Sequence, residues 1–133
     1  MTLRECVAWF VIKDQAILAE KRKSTKRLAP GAIAIPGGHV EEGERLEEAL
    51  ARELGEELGI TPLDARYVCT LLHRAEEFRR VHYFAVTRWQ GEIANHEAES
   101  LLWVPMAALD RLDFDVDRTA VREYLRVYAP ASG

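Results

Sequence analysis

Glu53, Glu56 and Glu57 stand at i, i+3 and i+4. On a helix, at about 100° per residue, this spacing places three carboxylates on one face within an arc of roughly 100°. Like charges so close repel by a few tenths of a kcal/mol per pair when exposed, and by more when part of the face is buried. The compensator that wants several oxygens at short range is a hard divalent cation, Mg²⁺ or Mn²⁺, which keeps waters and takes the rest of its shell from phosphate. Arg52, four residues before Glu56, can orient one carboxylate but leaves the cluster net negative. Glutamate is also a good surface helix former, so a solvated face is the commoner meaning of this pattern taken alone. Two neighbours shift the balance toward a site. Pro36-Gly37-Gly38 lets backbone groups approach a ligand closely, and Lys21, Arg22, Lys23, Lys26 and Arg27 form a stretch of five bases without an acid. Arg22, Lys23 and Arg27 are candidates to hold a phosphate tail, with a solubilising loop as the alternative.

These groups must be positioned by a chain of 133 residues, 48% hydrophobic and 30% charged, with eight Gly and five Pro. That is the size and composition of one globular domain, expected here over 1–133, which buries roughly two thirds of its unfolded surface. Residues 3–13 are rich in β-branched and aromatic types, Asp14 and Gln15 make a turn, and 16–21 run back, which predicts a hairpin. A loop over 21–31 and a short strand over 32–35 follow, the strand stopped by the turn signal Pro36-Gly37-Gly38. Leu46, Leu50, Leu54 and Leu58 recur every four residues, with Glu44, Glu47 and Glu48 in the first turns and Gly59 behind. This pattern predicts a helix over 44–58. Strands are expected over 64–73 and 81–88, joined by the polar turn 74–80, then a strand over 101–104 and one helical turn over 105–109. A last helix over 117–128 is expected, N-capped by Asp117, turned inward by Val121, Leu125 and Tyr128, and closed by Pro130. Strands before, between and after helices imply an α/β domain whose mixed sheet is covered by two helices.

The net charge of −4 is unevenly spread. Eight of the 22 acids fall between Glu41 and Glu57 with only Arg45 and Arg52 among them, so that segment carries −6 and the remainder +2. An acidic centre beside a basic loop suits a small polyphosphate bridged by cations and argues against a nucleic-acid polymer as partner. The apolar run Cys6–Ile12 has only a strand's length and follows Arg4 and Glu5, so it is neither a membrane-spanning helix nor a secretory signal, and a soluble cytoplasmic protein is expected. Cys6 and Cys69, far apart and outside any metal-ligand spacing, are expected to pack rather than to bridge. Nothing in the sequence decides between a monomer and a homodimer.

Gly38, five residues, Glu44, seven residues, Arg52-Glu53-Leu54, one residue, Glu56-Glu57, one residue, Gly59-Ile60 resembles the Nudix box, with every specified position filled over 23 residues. The resemblance implies an α/β/α sandwich with a mixed sheet, and hydrolysis of a nucleoside diphosphate linked to another group with Mg²⁺ as the usual cofactor and Mn²⁺ as the second candidate. Carried over residue by residue, it makes Glu53, Glu56 and Glu57 metal ligands, completed by the Gly38 carbonyl. Arg52 would orient the carboxylates, and Glu44 would serve the loop and helix more than the chemistry. A carboxylate, Glu53 or Glu56 or one outside the box, would take the proton of the attacking water.

Members of the family often recruit a further acid beyond the box, for which Glu97 and Glu99 are the first candidates here and Glu92 the next, each with an exposed loop charge as its alternative. His39 is at an unspecified box position, and His73, His82 and His96 show no zinc spacing. Phe114, Asp115 and Asp117 are placed much like the aromatic residue and two acids that read the base in oxidised-purine nucleotide hydrolases. Helix capping is the preferred reading of Asp117. The strand and turn over 83–92 are similar to MutT-type enzymes, so the leading expectation is a nucleoside triphosphate, 8-oxo-dGTP among the candidates, cleaved to monophosphate and pyrophosphate. ADP-ribose, nucleotide sugars and dinucleoside polyphosphates are the alternatives within the chemistry. The Pro and Tyr that help mark ADP-ribose and dinucleoside polyphosphate enzymes are replaced by Ala75-Glu76-Glu77. A nucleotide-binding module without catalysis is the competitor from another class, disfavoured by the three retained glutamates, and an interaction protein with a merely solvated acidic helix is the third reading.

Overall fold

In the computed structural model, which describes residues 3–74 and 77–128, a long first strand organises everything else. β1 (Leu3–Lys13) runs parallel to β6 (Phe78–Gln90) from Leu3↔Phe78 to Val11↔Val86, while its other edge receives β4 (Gly37–His39) and then β2 (Ala16–Lys21). β2 continues the sheet to β3 (Ile33–Ala34) and β7 (Ser100–Pro105), and β5 (Thr61–Arg74) closes it on the far side of β6 with three register shifts. The sheet is therefore mixed, with one parallel pair at its centre. Asp14 and Gln15 both take positive φ, the twist-matched turn of a two-residue hairpin.

The apolar run in β1 lacks the alternation of a half-exposed strand because both its faces are covered. Val7, Trp9 and Val11 pack with Ala49, Leu50, Leu54 and Leu58 of α1 (Leu46–Leu58). Cys6, Ala8 and Phe10 pack on the opposite face with Ala120 and Val121 of α2 (Asp115–Tyr128), beside a 3₁₀ helix (Met106–Arg111) that contributes Leu109. The result is the expected α/β/α sandwich. Both cysteines are free, Cys6 buried and Cys69 partly so. No helix among the described residues is long and apolar enough to cross a membrane.

Three local expectations are corrected. Gly37 and Gly38 do not form a turn: they begin a strand pressed against β1, where a Cβ on Gly37 would lie 2.6 Å from the Val7 carbonyl oxygen. α1 starts at Leu46 rather than Glu44, because Glu44 is spent on the preceding loop, accepting the Glu41 N–H at 3.0 Å, and Glu48 accepts the Arg45 N–H at 3.0 Å. Asp117 is not an N-cap. α2 begins two residues earlier, with the Phe114 carbonyl accepting the Arg118 N–H at 3.2 Å, and the Asp117 side chain turns inward with 4% of the residue exposed. Pro130, expected to close the helix, and the markers at 75–76 lie outside the described residues.

Leu54 is fully buried between α1 and the sheet. Leu54→Ala is expected to lower unfolding stability by about 2–5 kcal/mol, read from the urea midpoint at an unchanged m-value.

Candidate active site

Arg52 ties the first half of α1 to the loop and strand before it. Its Nε and Nη2 donate to the two oxygens of Glu44 at 2.8 and 3.0 Å, Nη2 also reaches the His39 carbonyl at 2.9 Å, and Nη1 donates to Glu53 at 3.0 Å and to Glu56 at 3.3 Å. The guanidinium beside Glu44 holds that carboxyl at about 2, and Arg52 is itself stabilised in its charged form by Glu44 and Glu53. Arg52 thus orients Glu53 and Glu56 while Glu44 anchors Arg52. The absence of a side chain at Gly38 is required here, because a Cβ would occupy the space of the Glu53 carboxyl group.

Glu53, Glu56 and Glu57 line a cavity of about 240 Å³ together with Glu20 of β2 and Glu97. Glu97 arrives there because its loop docks on the end of α1: the N–H groups of Ala94 and His96 donate to the carbonyls of Leu58 and Glu57 at 2.9 and 3.0 Å, and Asn95 accepts from Ala98 at 2.9 Å. These bonds satisfy the terminal carbonyls that a helix leaves without intrahelical partners. Arg22, Lys23 and Lys26 line the same cavity, and Lys26 lies 3.5 Å from Glu97. Glu99, Glu92 and Arg27 do not line it; Glu99 uses its backbone N–H on Lys21 at 3.0 Å.

Glu57 marks the electrostatic problem most clearly. Burial, then a hydrogen bond to Glu53 that requires a proton, then the charges of Glu20, Glu53 and Glu97 push its carboxyl up to about 9. Its Oε2 is buried without a hydrogen-bond partner among the described residues. Hard oxygen donors on several elements with a buried orphan acceptor fit a divalent cation, although no three His, Cys, Asp or Glu side chains among the described residues already stand in closed coordinating geometry.

A second cavity, about 470 Å³, adjoins the first and shares Glu20, Arg22 and Gly37 with it. Its walls are largely apolar and include Ile35, Val81 and Phe114, with Asp117 also part of the wall. Asp117 accepts the Tyr83 O–H at 2.7 Å and the Ile35 N–H at 3.0 Å, and burial raises its carboxyl to about 6 despite those donors. Asp115 does not line this cavity. Sequence reasoning missed Glu20, whose position at the end of a hairpin strand bears no spacing relation to the box.

A family model of the NUDIX domain matches residues 2–125. The 8-oxo-dGTP diphosphatase of Escherichia coli K12 is 36% identical over 107 residues, covering 77% of this chain and 79% of that protein. The nucleoside triphosphatase NudI of the same strain is 34% identical over 140 residues, covering 96% and 97%. A crystal structure of a MutT NUDIX hydrolase from Burkholderia pseudomallei superposes with a TM-score of 0.81 at 29% identity, covering 92% and 98%. With the sandwich, the box and its acidic cavity in place, the chain belongs to the NUDIX hydrolase family. Its activity is that of a nucleotide pyrophosphohydrolase, and divalent metal dependence is general in this family.

Glu57 gives ion-free stability a definite pH sign. Its folded-state value of about 9 lies above the ordinary 4.5, so unfolding releases a proton between the two and this contribution falls as pH rises through that window. The ion-free protein is expected to melt lower at about pH 8 than at about pH 6. Mg²⁺ or Mn²⁺, which needs the deprotonated carboxylates, is expected to raise Tm more at the higher pH. Calorimetry with and without chelator checks both.

Proposed function

We propose that the chain, as a single NUDIX domain over 1–133, hydrolyses a nucleoside triphosphate to nucleoside monophosphate and pyrophosphate with Mg²⁺, Mn²⁺ serving as substitute. An oxidised substrate such as 8-oxo-dGTP is the first candidate, as is a cytoplasmic setting. The observation that carries the reading is the junction of two unlike cavities: an apolar, aromatic chamber that suits a base opens at Glu20, Arg22 and Gly37 into an acidic one that suits metal-bridged phosphates. The similarity to a diphosphatase of 8-oxo-dGTP and to a nucleoside triphosphatase supports a triphosphate over other linkages.

Glu53, Glu56, Glu57 and Glu97, with the Gly38 carbonyl, would hold the cation. When bound, it supplies charge neutralisation of the phosphate oxygens and a more acidic water. Arg22, Lys23 and Lys26 hold the phosphate tail against the acidic wall. Arg52 keeps Glu53 and Glu56 aimed, which fixes the direction of attack on phosphorus. Water adds to phosphorus, the P–O anhydride bond breaks, the bridging oxygen leaves with one product, and a carboxylate of Glu53, Glu56 or Glu97 takes the proton from water.

Product identification across nucleoside triphosphates, 8-oxo-dGTP, ADP-ribose, nucleotide sugars and dinucleoside polyphosphates at matched Mg²⁺ tests this. Monophosphate plus pyrophosphate from a triphosphate is the expected result. Products from ADP-ribose or sugar nucleotides alone would overturn the substrate, and silence across the panel with both metals would leave the binding module. Glu56→Gln and Glu57→Gln are each expected to lower turnover by roughly 10²–10³-fold or more. Tm should hold or rise for Glu57→Gln, because a buried unpaired acid is removed. A variant that unfolds would place the residue in structure rather than catalysis.

A further inference from the structure

Tyr67, Thr70, His82, Glu5 and Arg80 form one hydrogen-bonded chain across β5, β6 and β1. The Tyr67 hydroxyl lies 2.7 Å from Thr70 Oγ1, Thr70 Oγ1 lies 2.9 Å from His82 Nδ1, and His82 Nε2 lies 2.8 Å from Glu5 Oε1. Arg80 Nη1 donates to the second Glu5 oxygen at 3.0 Å. None of these side chains lines the acidic or the apolar cavity. Val81 and Tyr83, on either side of His82, do line the larger cavity, so strand alternation turns His82 to the opposite face of the sheet. The pairs Thr70↔His82 and Leu72↔Arg80, with Glu5 opposite Arg80 on β1, gather the chain on that face.

The direction of each bond follows from what its atoms can do. The Glu5 carboxylate, held by Arg80, only accepts, so the imidazole proton stands on Nε2. Neutral imidazole then carries its lone pair on Nδ1, and Thr70 donates its hydroxyl proton there. The Thr70 oxygen is left to accept from Tyr67. A hydroxyl that donates to an imidazole, itself fixed at its far nitrogen by a carboxylate, is the arrangement that activates an oxygen nucleophile. The hydroxyl is also reachable: Thr70 is half-buried, Tyr67 is 48% exposed, and Leu72, two residues beyond Thr70 on the same face, is 62% exposed.

We propose that Thr70, His82 and Glu5 form a second reactive site, separate from the acidic cavity, in which Thr70 takes the acyl group of an activated ester. Thr70 Oγ1 bonds to the acyl carbon as the ester C–O bond breaks. The hydroxyl proton passes to His82 Nδ1 and from there to the departing oxygen. Tyr67, released from Thr70 Oγ1, donates its O–H to the oxyanion that develops on the acyl carbonyl. Leu72 offers the apolar body of the ester a surface. Glu5 is a positioning residue, acting through the tautomer and orientation of His82.

The test incubates the protein with p-nitrophenyl acetate, follows p-nitrophenolate release and locates the acetyl group by peptide mass mapping. Wild type is expected to carry it on Thr70. Thr70→Val is expected to lose that label, and His82→Gln to slow its formation roughly 10²-fold or more. Nitrogen-15 NMR at alkaline pH is expected to place the His82 proton on Nε2. In Glu5→Gln, Arg80 claims the amide oxygen and the amide N–H faces Nε2, which should move the proton to Nδ1 and slow labelling as well. Acetylation of lysines or the N-terminus with Thr70 unlabelled, a rate unchanged in His82→Gln, or a wild-type His82 proton on Nδ1 overturns the assignment. Should a variant melt below the assay temperature, the wild-type map and the wild-type tautomer decide, and failure of either overturns it.

Discussion

Like charge held at short range is the constraint around which this molecule is built. Glu53, Glu56 and Glu57 on one helix face would shift together relative to the sheet if the helix were free to turn or slide, and Arg52 stops both by gripping Glu44, the His39 carbonyl and Glu53 together. The grip acts across three segments, the loop before α1, strand β4 and the helix itself. The acids are therefore placed relative to the sheet as well as to one another. Glu20 and Glu97 then add charge from two further directions. The fold accepts this accumulation because a hydrophobic layer beneath α1 fixes the helix independently of the charges above it.

That layer depends on β1 being buried on both faces. Its odd residues face α1 and its even residues face α2, so one strand transmits position from one helix layer to the other. The two cavities lie on the same seam. Strand β4, too close to β1 to carry side chains at Gly37, passes between them, and the acidic and apolar chambers meet where the backbone is least encumbered. Asp117 shows how the second chamber is held open: it joins α2 to β6 through the Tyr83 hydroxyl and to the approach of β4 through the Ile35 N–H.

Much of this was legible in the chain. The four-residue leucine repeat determined α1 and its inward face, the β-branched and aromatic run determined β1, and the box glutamates with Arg52 were recognisable because their chemistry depends on spacing within a single helix, which is local geometry. The ends of elements were less readable. Glu44 scores as a first-turn acid and Asp117 as a cap, yet each is claimed by a partner elsewhere, Arg52 in one case and Tyr83 in the other.

By itself the sequence determined the two helical repeats, the strand run and the acidic face of α1, because these follow from periodicity along one segment. Only the tertiary structure decided that Pro36-Gly37-Gly38 leads into a strand, that Glu20 and Glu97 but not Glu99 join the acidic cavity, and that Asp117 is a buried strut. It also decided that the Nε of Arg79 is buried without a hydrogen-bond partner among the described residues. Each of these depends on which distant backbone or side chain arrives at a given point. That is settled by sheet register and by the packing of two helix layers on one strand, and no spacing within a single segment encodes it.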